Sequence, residues 1–320
     1  MIVDYQGRAF SALRVSITKA CNLSCTYCVP IGGSLSNTKE LSADEFFKAI
    51  KLLYEVLELK KIRLTGGEPL VSSKLPKLLP LLGSLPINDF TLTTNGQLLK
   101  EKIGILKENR VNRINVSLDT LSHEKFKEIT RGGNLQKTLD GIDRALDAGL
   151  KIKVNMIPMK GLNEEEIVPL LDYCLERGIE LRYIELMRMG HLADRDNFME
   201  KFISLDYLLS EIKKHYPVVS RDSGKSATAK GFQIPETGHF GVIANDSAPF
   251  CTSCNRLRLT SEGDLYGCLS STMKFPLKDL LKINEEDAKK ELRNVLSKAL
   301  ATKQDFAFYG SNVPMKSVGG

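Results

Sequence analysis

Six of the seven cysteines in this chain fall into two groups of three. The first cysteine group, Cys21, Cys25 and Cys28, has the spacing C-x3-C-x2-C and follows a stretch that predicts a strand. Cysteine thiolates are the usual ligands of 4Fe-4S clusters. Three thiolates leave one iron open, and an open iron can bind and activate a small molecule. Zinc sites mostly pair their cysteines as C-x2-C, so this spacing favours an iron–sulfur cluster over zinc.

The second cysteine group, Cys251, Cys254 and Cys268, has the spacing C-x2-C-x13-C near the C-terminus. A zinc site would need a fourth ligand, and His239 leaves a Cys3His zinc site open as an alternative. A second 4Fe-4S cluster with one open iron fits the number of thiolates better. Cys174 is left over on a helical pattern, where we expect a small buried side chain.

The composition predicts a cytoplasmic protein with a packed core. The chain has 320 residues, of which 42% are hydrophobic, enough for one large domain or two moderate ones. Its apolar stretches are too short to span a membrane, and its first residues do not resemble a signal peptide. The net charge of +6 mildly favours an anionic ligand. Without tryptophan or a long basic run, nucleic-acid binding has no strong support.

Strands and helices alternate along the first part of the chain, which predicts a parallel α/β sheet that carries these cysteines. The predicted strands are Ala12–Thr18, Ile62–Gly66, Asp89–Asn95, Arg113–Asp119, Lys151–Ile157 and Glu180–Met187. The predicted helices between them lie near Ser42–Glu58, Ser73–Leu85, Leu98–Asn109, Gln136–Ala148 and Asn163–Arg177.

Four of these strands have one apolar face and one polar face that is rich in cations. A closed βα barrel fills its interior with branched aliphatic side chains, so a closed barrel does not fit this pattern. We expect an incomplete TIM-type barrel of about six βα units around a polar cavity. An open sheet with one solvated face is the alternative.

The alternation stops near residue 190, which divides the chain into two predicted domains. Residues 1–190 form the partial barrel, and residues 191–320 form an α+β domain that carries the second cluster. The elements predicted in this second part are a helix at Ser204–His215, short strands near His239–Ile243, Arg256–Thr260 and Asp264–Gly267, a helix at Glu285–Leu300 and an extended tail over Tyr309–Gly320.

Cations gather on the polar strand faces and beside the second cysteine group. They are Arg14, Arg63, Lys153, Arg182, Arg256 and Arg258. Guanidinium groups bind phosphate through two parallel hydrogen bonds. Because buried cations repel one another, a shared cavity favours a highly charged anion such as a nucleoside triphosphate. An acidic protein surface or a network of salt bridges would be the alternative explanation.

Polar residues also follow the predicted second, third and fourth strands. Thr65-Gly66-Gly67-Glu68-Pro69 is a turn whose glycines let the backbone approach a ligand closely, although it is also a plausible plain βα turn. Thr94, Asn95 and Ser117 lie where ligands of βα barrels bind, at the carboxyl ends of strands.

These motifs together resemble a known enzyme family. The first cysteine group, with Tyr27 before its last cysteine, and the Gly-Gly-Glu turn are similar to the radical S-adenosylmethionine (SAM) superfamily. The second cysteine group, the run Cys254-Asn-Arg-Leu-Arg258, Gly161-Leu162-Asn163 and the terminal Gly319-Gly320 resemble the GTP 3′,8-cyclase family within it.

The resemblance implies two 4Fe-4S clusters and SAM as cofactors. It also implies GTP as the substrate, with a SAM-derived radical that abstracts hydrogen from C3′ before C3′ bonds to C8 of guanine. The implied partners are an external electron donor, a second copy of the chain in a homodimer, and cyclic pyranopterin monophosphate synthase, which would receive the product in molybdenum cofactor biosynthesis.

The resemblance also assigns roles to individual residues. SAM would be bound by Tyr27, Gly67, Ser117 and Met187. GTP would be bound by Arg14, Arg63, Thr94, Lys153, Arg256, Leu257 and Arg258. The residues implied near the reacting atoms are Arg182, Gly319 and Gly320. Val29 and Tyr266-Gly267 depart from the usual family pattern around the clusters.

Two other functions are open at this point. One is a radical SAM enzyme that modifies a peptide, although such enzymes carry more cysteines for their additional clusters. The other is a non-catalytic iron–sulfur or zinc scaffold, which would need neither the Gly-Gly-Glu turn nor a cationic cavity.

Overall fold

A computed structural model describes residues 2–30, 39–193, 198–222, 224 and 227–319. Its centre is the predicted run of parallel strands, each paired with the next in chain order. These strands are β1 (Ala12–Ser16), β2 (Lys61–Thr65), β3 (Asp89–Thr94), β4 (Arg113–Ser117), β5 (Lys151–Met156) and β6 (Glu180–Ile184).

Strands from the C-terminal part extend this sheet at both edges. They are β7 (Val219–Arg221), β8 (Lys230–Ile234), β9 (Gly238–Ile243), β10 (Arg256–Leu259), β11 (Asp264–Tyr266) and β12 (Phe275–Pro276). The full order is β12-β11-β10-β1-β2-β3-β4-β5-β6-β9-β8-β7. β10 runs parallel to β1 and β9 runs parallel to β6, and antiparallel strands follow on either side. The α/β partial barrel is therefore confirmed, while the domain boundary at residue 190 stays a prediction.

Most of the helices cover the outer face of the sheet, whereas the last one, near the C-terminus, lies against β1 beside the lumen-facing Arg258. The helices are α1 (Ala43–Leu57), α2 (Leu75–Gly83), α3 (Leu99–Glu108), α4 (His123–Thr130), α5 (Leu135–Asp147), α6 (Ile167–Glu176), α7 (Phe198–Lys201), α8 (Leu205–Lys213), α9 (Glu285–Leu300) and α10 (Met315–Val318). Ser42 and Glu45 form the capping box that starts α1. No helix in the described ranges is both long and apolar enough to cross a membrane.

The two faces of the strands differ as the alternation of residues predicts. Leu13, Val15 and Leu64 are buried in the layer between the sheet and the helices. Successive side chains point to opposite faces of a strand. Arg14 and Arg63 therefore point into the interior of the partial barrel, and both line a cavity there. We call this interior the lumen.

Several elements differ from the prediction. The strands end one to three residues earlier than predicted, because the polar residues after them turn into the site. α4 was missed because only Phe126, Ile129 and Thr130 of its eight residues are buried. The β7–β8 hairpin was missed because β7 is fully exposed and has no apolar alternation. The tail was predicted to be extended but contains α10, with Lys316 and Val318 buried.

Replacement of Leu64 by alanine tests the packed layer. Its side chain is completely buried against the helices, so Leu64→Ala should lower the free energy of unfolding by about 2–5 kcal/mol. Urea denaturation followed by circular dichroism measures the change. Ile283→Ala is the control: this side chain is 48% exposed, and we expect a change within about 0.5 kcal/mol. Equal effects of the two variants would contradict the described packing.

Candidate functional site

The loop of the first cysteine group leaves the carboxyl end of β1 and is fixed to the end of α4. The Ser24 N–H donates to the Thr130 carbonyl oxygen at 3.1 Å, and the Thr26 N–H donates to the Ile129 carbonyl oxygen at 2.9 Å. All three cysteines line one cavity of about 180 Å³. Burial raises the pKa of the Cys28 thiol to about 11. A positively charged group such as a metal cluster would stabilise these sulfurs as thiolates.

The Gly-Gly-Glu turn packs directly against the chain that leads into this loop. A Cβ on Gly66 would lie 2.5 Å from the Thr18 carbonyl oxygen, and one on Gly67 would lie 2.3 Å from the Ala20 carbonyl oxygen. Both contacts are with backbone atoms, which cannot move aside as a side chain can. Any other residue at either position would therefore push the turn away from the cysteine loop.

Glu68 is buried at the base of the same cavity and organises the end of β3. Its carboxylate accepts hydrogen bonds from the Thr94 hydroxyl at 2.8 Å, the Asn95 N–H at 2.7 Å and the Leu70 N–H at 2.9 Å. Burial raises the pKa of Glu68 to about 7. Thr94, assigned to GTP by the resemblance, thus lies in the cavity of the first cysteine group rather than among the arginines.

Tyr27 is held in this cavity by a buried carboxylate that the sequence did not single out. The Tyr27 hydroxyl donates to Asp119 Oδ2 at 2.9 Å, and the Ile157 N–H donates to Asp119 Oδ1 at 2.8 Å. Burial raises the pKa of Asp119 to about 6. Gly67, Ser117 and Met187 line the same cavity, so the structure brings together all four residues assigned to SAM.

The second cysteine group lines a separate cavity of about 110 Å³ and is surrounded by cations. Cys254 Sγ accepts hydrogen bonds from Arg256 Nη2 and from Lys303 Nζ, both at 3.4 Å. Burial raises the pKa of this thiol, but Arg256 and Lys303 outweigh it and lower the pKa to about 5. Lys303, which is 6% exposed, also donates to the carbonyl oxygens of Arg256 at 2.8 Å and Gly267 at 2.9 Å.

The zinc alternative is not supported by this arrangement. His239 lies in another cavity, with its Nε2 atom 3.4 Å from Glu180 Oε2. A zinc ion holds its thiolates within about 4 Å of one another, because each Zn–S bond is about 2.3 Å long. Among the described residues, no three His, Cys, Asp or Glu side chains are grouped to hold a single metal ion. A four-iron cluster spreads its cysteine ligands more widely.

A third cavity, of about 440 Å³, contains most of the predicted cations, and we call it the cation cavity. Its basic lining residues are Arg14, Lys61, Arg63, Arg113, Lys153, Arg182, Arg221 and Arg256. Burial and then neighbouring arginines lower the pKa of Arg63 to about 9 and that of Lys153 to about 8. This mutual repulsion is relieved when an anion of high charge enters.

The cation cavity and the first cysteine group lie at opposite ends of the lumen. Lys61, Asp89 and Arg113 are the first residues of their strands, whereas Thr65 and Ser117 are the last. Parallel strands all begin at the same end of a sheet, so the two cavities lie toward opposite ends of the strands. The cavity of the second cysteine group shares the lining residue Arg14 with the cation cavity and Met187 with the cavity of the first cysteine group, so it borders both.

The tail and the last predicted arginine meet inside the lumen. Arg258 Nη1 donates to the Val318 carbonyl oxygen at 2.9 Å and also to the Gly319 carbonyl oxygen. The side chain of Leu257 is fully buried in the apolar layer, which leaves only its backbone for a ligand. Gly320 lies outside the described residues.

The residues that were missed have different sequence signals. Lys61 lies two positions before Arg63 in the same strand, so strand alternation would have found it. Asp119 lies two residues after β4, and its partners Tyr27 and Ile157 are distant in sequence. Glu180 begins β6, and of its two cationic partners only Arg182 is close in sequence. Lys303 lies in the turn after α9, where no periodicity applies.

Known protein families account for most of the chain. The model of the Radical SAM superfamily matches residues 15–174, and that of Molybdenum Cofactor Synthesis C matches residues 179–309. The GTP 3′,8-cyclase of Listeria monocytogenes serovar 1/2a is 40% identical over 84% of this chain and 82% of that protein. The GTP 3′,8-cyclase of Clostridium botulinum strain Okra is 36% identical over 96% of this chain and 99% of that protein.

Solved structures agree on the fold. SuiB of Streptococcus suis bound to S-adenosylmethionine superposes with a TM-score of 0.63 over 86% of this chain. The match spans 65% of the SuiB chain at 18% identity, so it shows the fold alone. The match of the superfamily model to half of the chain, together with the 36–40% identity to the curated relatives, shows the family as well as the fold. The chain belongs to the radical SAM superfamily and, within it, to the GTP 3′,8-cyclase family.

Proposed function

We propose that this chain is a radical SAM enzyme that converts GTP into (8S)-3′,8-cyclo-7,8-dihydroguanosine 5′-triphosphate, the first step of molybdenum cofactor biosynthesis. In this reaction the hydrogen atom at C3′ of the ribose is removed, and the resulting carbon radical forms a bond to C8 of guanine. The cyclised base then takes up one electron and one proton. An external electron donor is therefore a required partner, and a downstream synthase would consume the product.

One observation carries this proposal: a single lumen joins both cysteine groups to the cation cavity. A substrate that carries a triphosphate at one end and a purine at the other matches the lumen in charge. Neither a peptide-modifying enzyme nor a non-catalytic scaffold needs a cavity lined by eight basic residues. The curated relatives of this chain favour neither of these alternatives.

The first cysteine group fits a 4Fe-4S cluster, because its three thiols share one buried cavity with the Gly-Gly-Glu turn. When bound, the reduced cluster and SAM supply the 5′-deoxyadenosyl radical that accepts the C3′ hydrogen. Gly67, Tyr27 and Met187 line this cavity and would contact SAM there. Tyr27 is fixed for this role by its hydrogen bond to Asp119.

The second cysteine group would hold a second 4Fe-4S cluster, with the open iron left for guanine. Lys303 and Arg256 support this role because they stabilise the Cys254 thiolate before any metal arrives. Three thiolates and no fourth ligand from the described residues fit a cluster that binds its substrate. We also expect a homodimer, as the family resemblance implies.

The phosphates are assigned to the cation cavity. Arg14 and Arg63 are Cα partners across β1 and β2, and Arg258 is the partner of Arg14 across β10. Within the described part of the chain, Arg14 has no hydrogen-bond or ion-pair partner of its own, whereas Arg258 is engaged by the tail. Arg14, Arg63, Lys153 and Arg256 would contact the phosphates, and Arg182 lies among them.

The experiment that tests the reaction is an anaerobic assay. The enzyme is reconstituted with iron and sulfide and supplied with SAM, dithionite and GTP, and 5′-deoxyadenosine and cyclised GTP are quantified. We expect both products only when all three reagents are present. If 5′-deoxyadenosine forms while GTP stays intact, the proposed substrate is wrong.

Removal of a ligand of the first cluster should abolish SAM cleavage. Cys21→Ala leaves two thiolates in the first group, so we expect no 5′-deoxyadenosine above background and loss of about half of the bound iron. The matched control is Cys174→Ala, since this cysteine is buried on α6 and lies outside both groups. Persistent SAM cleavage in the Cys21 variant would show that the cluster is held elsewhere.

Removal of the Arg14 guanidinium should weaken GTP binding. A charge-assisted contact contributes about 1.5–3 kcal/mol, so Arg14→Met should raise the Kd for GTP about tenfold to a hundredfold. Isothermal titration calorimetry without reductant measures the Kd. Arg293→Met, on the exposed face of α9, is the control for loss of one positive charge. An unchanged Kd in the Arg14 variant would show that the phosphates do not bind in this cavity.

The buried Lys303 should lower the pH at which the Cys254 thiol ionises. Lys303→Met removes a cation 3.4 Å from Cys254 Sγ, so the pKa of this thiol should rise from about 5 by about one unit or more. Alkylation by iodoacetamide in the metal-free protein, measured against pH and resolved by peptide mass spectrometry, reports the shift. Lys298→Met, exposed on α9, should leave the midpoint in place. The same midpoint in both variants would contradict the described contact.

A further inference from the structure

Glu180 is an acidic residue in a cavity that otherwise favours anions. It is the first residue of β6 and lines the cation cavity. Its Oε2 atom accepts a hydrogen bond from Lys153 Nζ, and its Oε1 atom accepts one from Arg182 Nε at 2.6 Å. The carboxylate thus engages two cations at once, one through each oxygen.

The environment of Glu180 is strongly electrostatic. Lys153 is its Cα partner on the neighbouring strand, and Arg182 follows two residues later on the same face of β6. His239 Nε2 lies 3.4 Å from Oε2. Burial raises the pKa of Glu180, but Arg182 and Lys153 outweigh it and lower the pKa to about 2. The group is therefore an anion at every physiological pH.

A purely structural role does not explain why this ion pair faces the lumen. The side chains of Glu180, Lys153 and Arg182 are each 17–19% exposed, and all three line the cation cavity. They are consequently accessible to a ligand there. A phosphate group that binds Lys153 and Arg182 must compete with a carboxylate already in contact with both.

We infer that Glu180 is an internal counter-ion that competes with the phosphate chain for Lys153 and Arg182 and so limits the affinity of the cavity for triphosphates. The inference rests on the proposed function, in which both substrate and product carry a triphosphate. Cyclisation changes the ribose and the base but leaves the phosphates unchanged. Contacts that bind the phosphates of the substrate tightly would bind those of the product just as tightly. A competing anion weakens both and so favours release of the product.

Two further expectations follow from the competition. Removal of the carboxylate should strengthen binding mainly by slowing dissociation, because the contacts made after docking determine the dissociation rate. The gain should be larger for ligands with more phosphates, because electrostatic repulsion from Glu180 grows with the charge of the ligand. GMP should gain less than GTP or inorganic triphosphate.

The test compares charge variants of the reconstituted holoenzyme without reductant. Glu180→Gln keeps an oxygen and the size of the side chain but removes the charge. We expect its Kd for inorganic triphosphate and for GTP to fall about tenfold, and the dissociation rate of labelled GTP in a chase experiment to fall in parallel. Glu180→Ala is the second variant and should change the Kd in the same direction. Glu180→Asp, which keeps the charge, should stay near the wild-type value.

The matched control is Asp89→Asn. Asp89 lines the same cavity, but its Oδ2 atom pairs with Arg113 Nη2 at 3.1 Å instead. A similar gain in affinity for triphosphate in this variant would mean that loss of any negative charge in the cavity strengthens binding. That result would overturn the specific role of Glu180. Weaker binding of triphosphate by Glu180→Gln and Glu180→Ala would show that the carboxylate positions Lys153 and Arg182 for the ligand. Either weaker or unchanged binding would overturn the inference.

Failure of this inference can be told apart from failure of the proposed function. Inorganic triphosphate reports on the cation cavity alone, whereas GTP turnover reports on the whole reaction. If the Glu180 variants bind triphosphate more tightly but the wild-type enzyme does not cyclise GTP, the counter-ion role of Glu180 is supported and the proposed substrate is wrong. If GTP is cyclised and the variants bind triphosphate as the wild type does, only the counter-ion role is wrong.

Discussion

The parallel pairing of β10 with β1 is the contact on which the whole site depends. It aligns Leu257 with Leu13 in the apolar layer and Arg258 with Arg14 on the lumen side. Cys254 and Cys268 lie just outside the two ends of the β10–β11 hairpin, so the same pairing carries the second cysteine group to the barrel. A shift of one residue would exchange the two faces of β10. Arginines would then enter the core and leucines the lumen.

The lumen stores unfavourable charge that a ligand can neutralise. Its cations are held in place by strands whose other face is packed apolar core, so they cannot move apart to reduce their repulsion. A few acidic side chains neutralise part of this positive charge: Asp89 pairs with Arg113, and Glu180 pairs with two cations. The remaining positive charge attracts an anion of high charge. Stability and recognition therefore act against each other here, as is common at functional sites.

The sequence predicted this site to the extent that its signals were local. Cysteine spacing and strand alternation placed the first cysteine group, Arg14 and Arg63 correctly relative to the sheet. The prediction failed where the cause is distant in sequence. Lys303 reaches Cys254 across 49 residues, and no pattern around the lysine indicates it. The joining of β9 and β10 to opposite edges of the barrel is likewise a property of pairing between distant strands. α4 was missed because most of its surface is polar.

The placement of the two cavities toward opposite ends of the lumen has a consequence for how two small molecules bind. Residues at the carboxyl ends of the strands surround one cavity, and residues at the amino ends surround the other. Two molecules that bind toward opposite ends of the lumen occupy different volumes. Neither therefore has to be displaced before the other can bind, and both can be present in the lumen together.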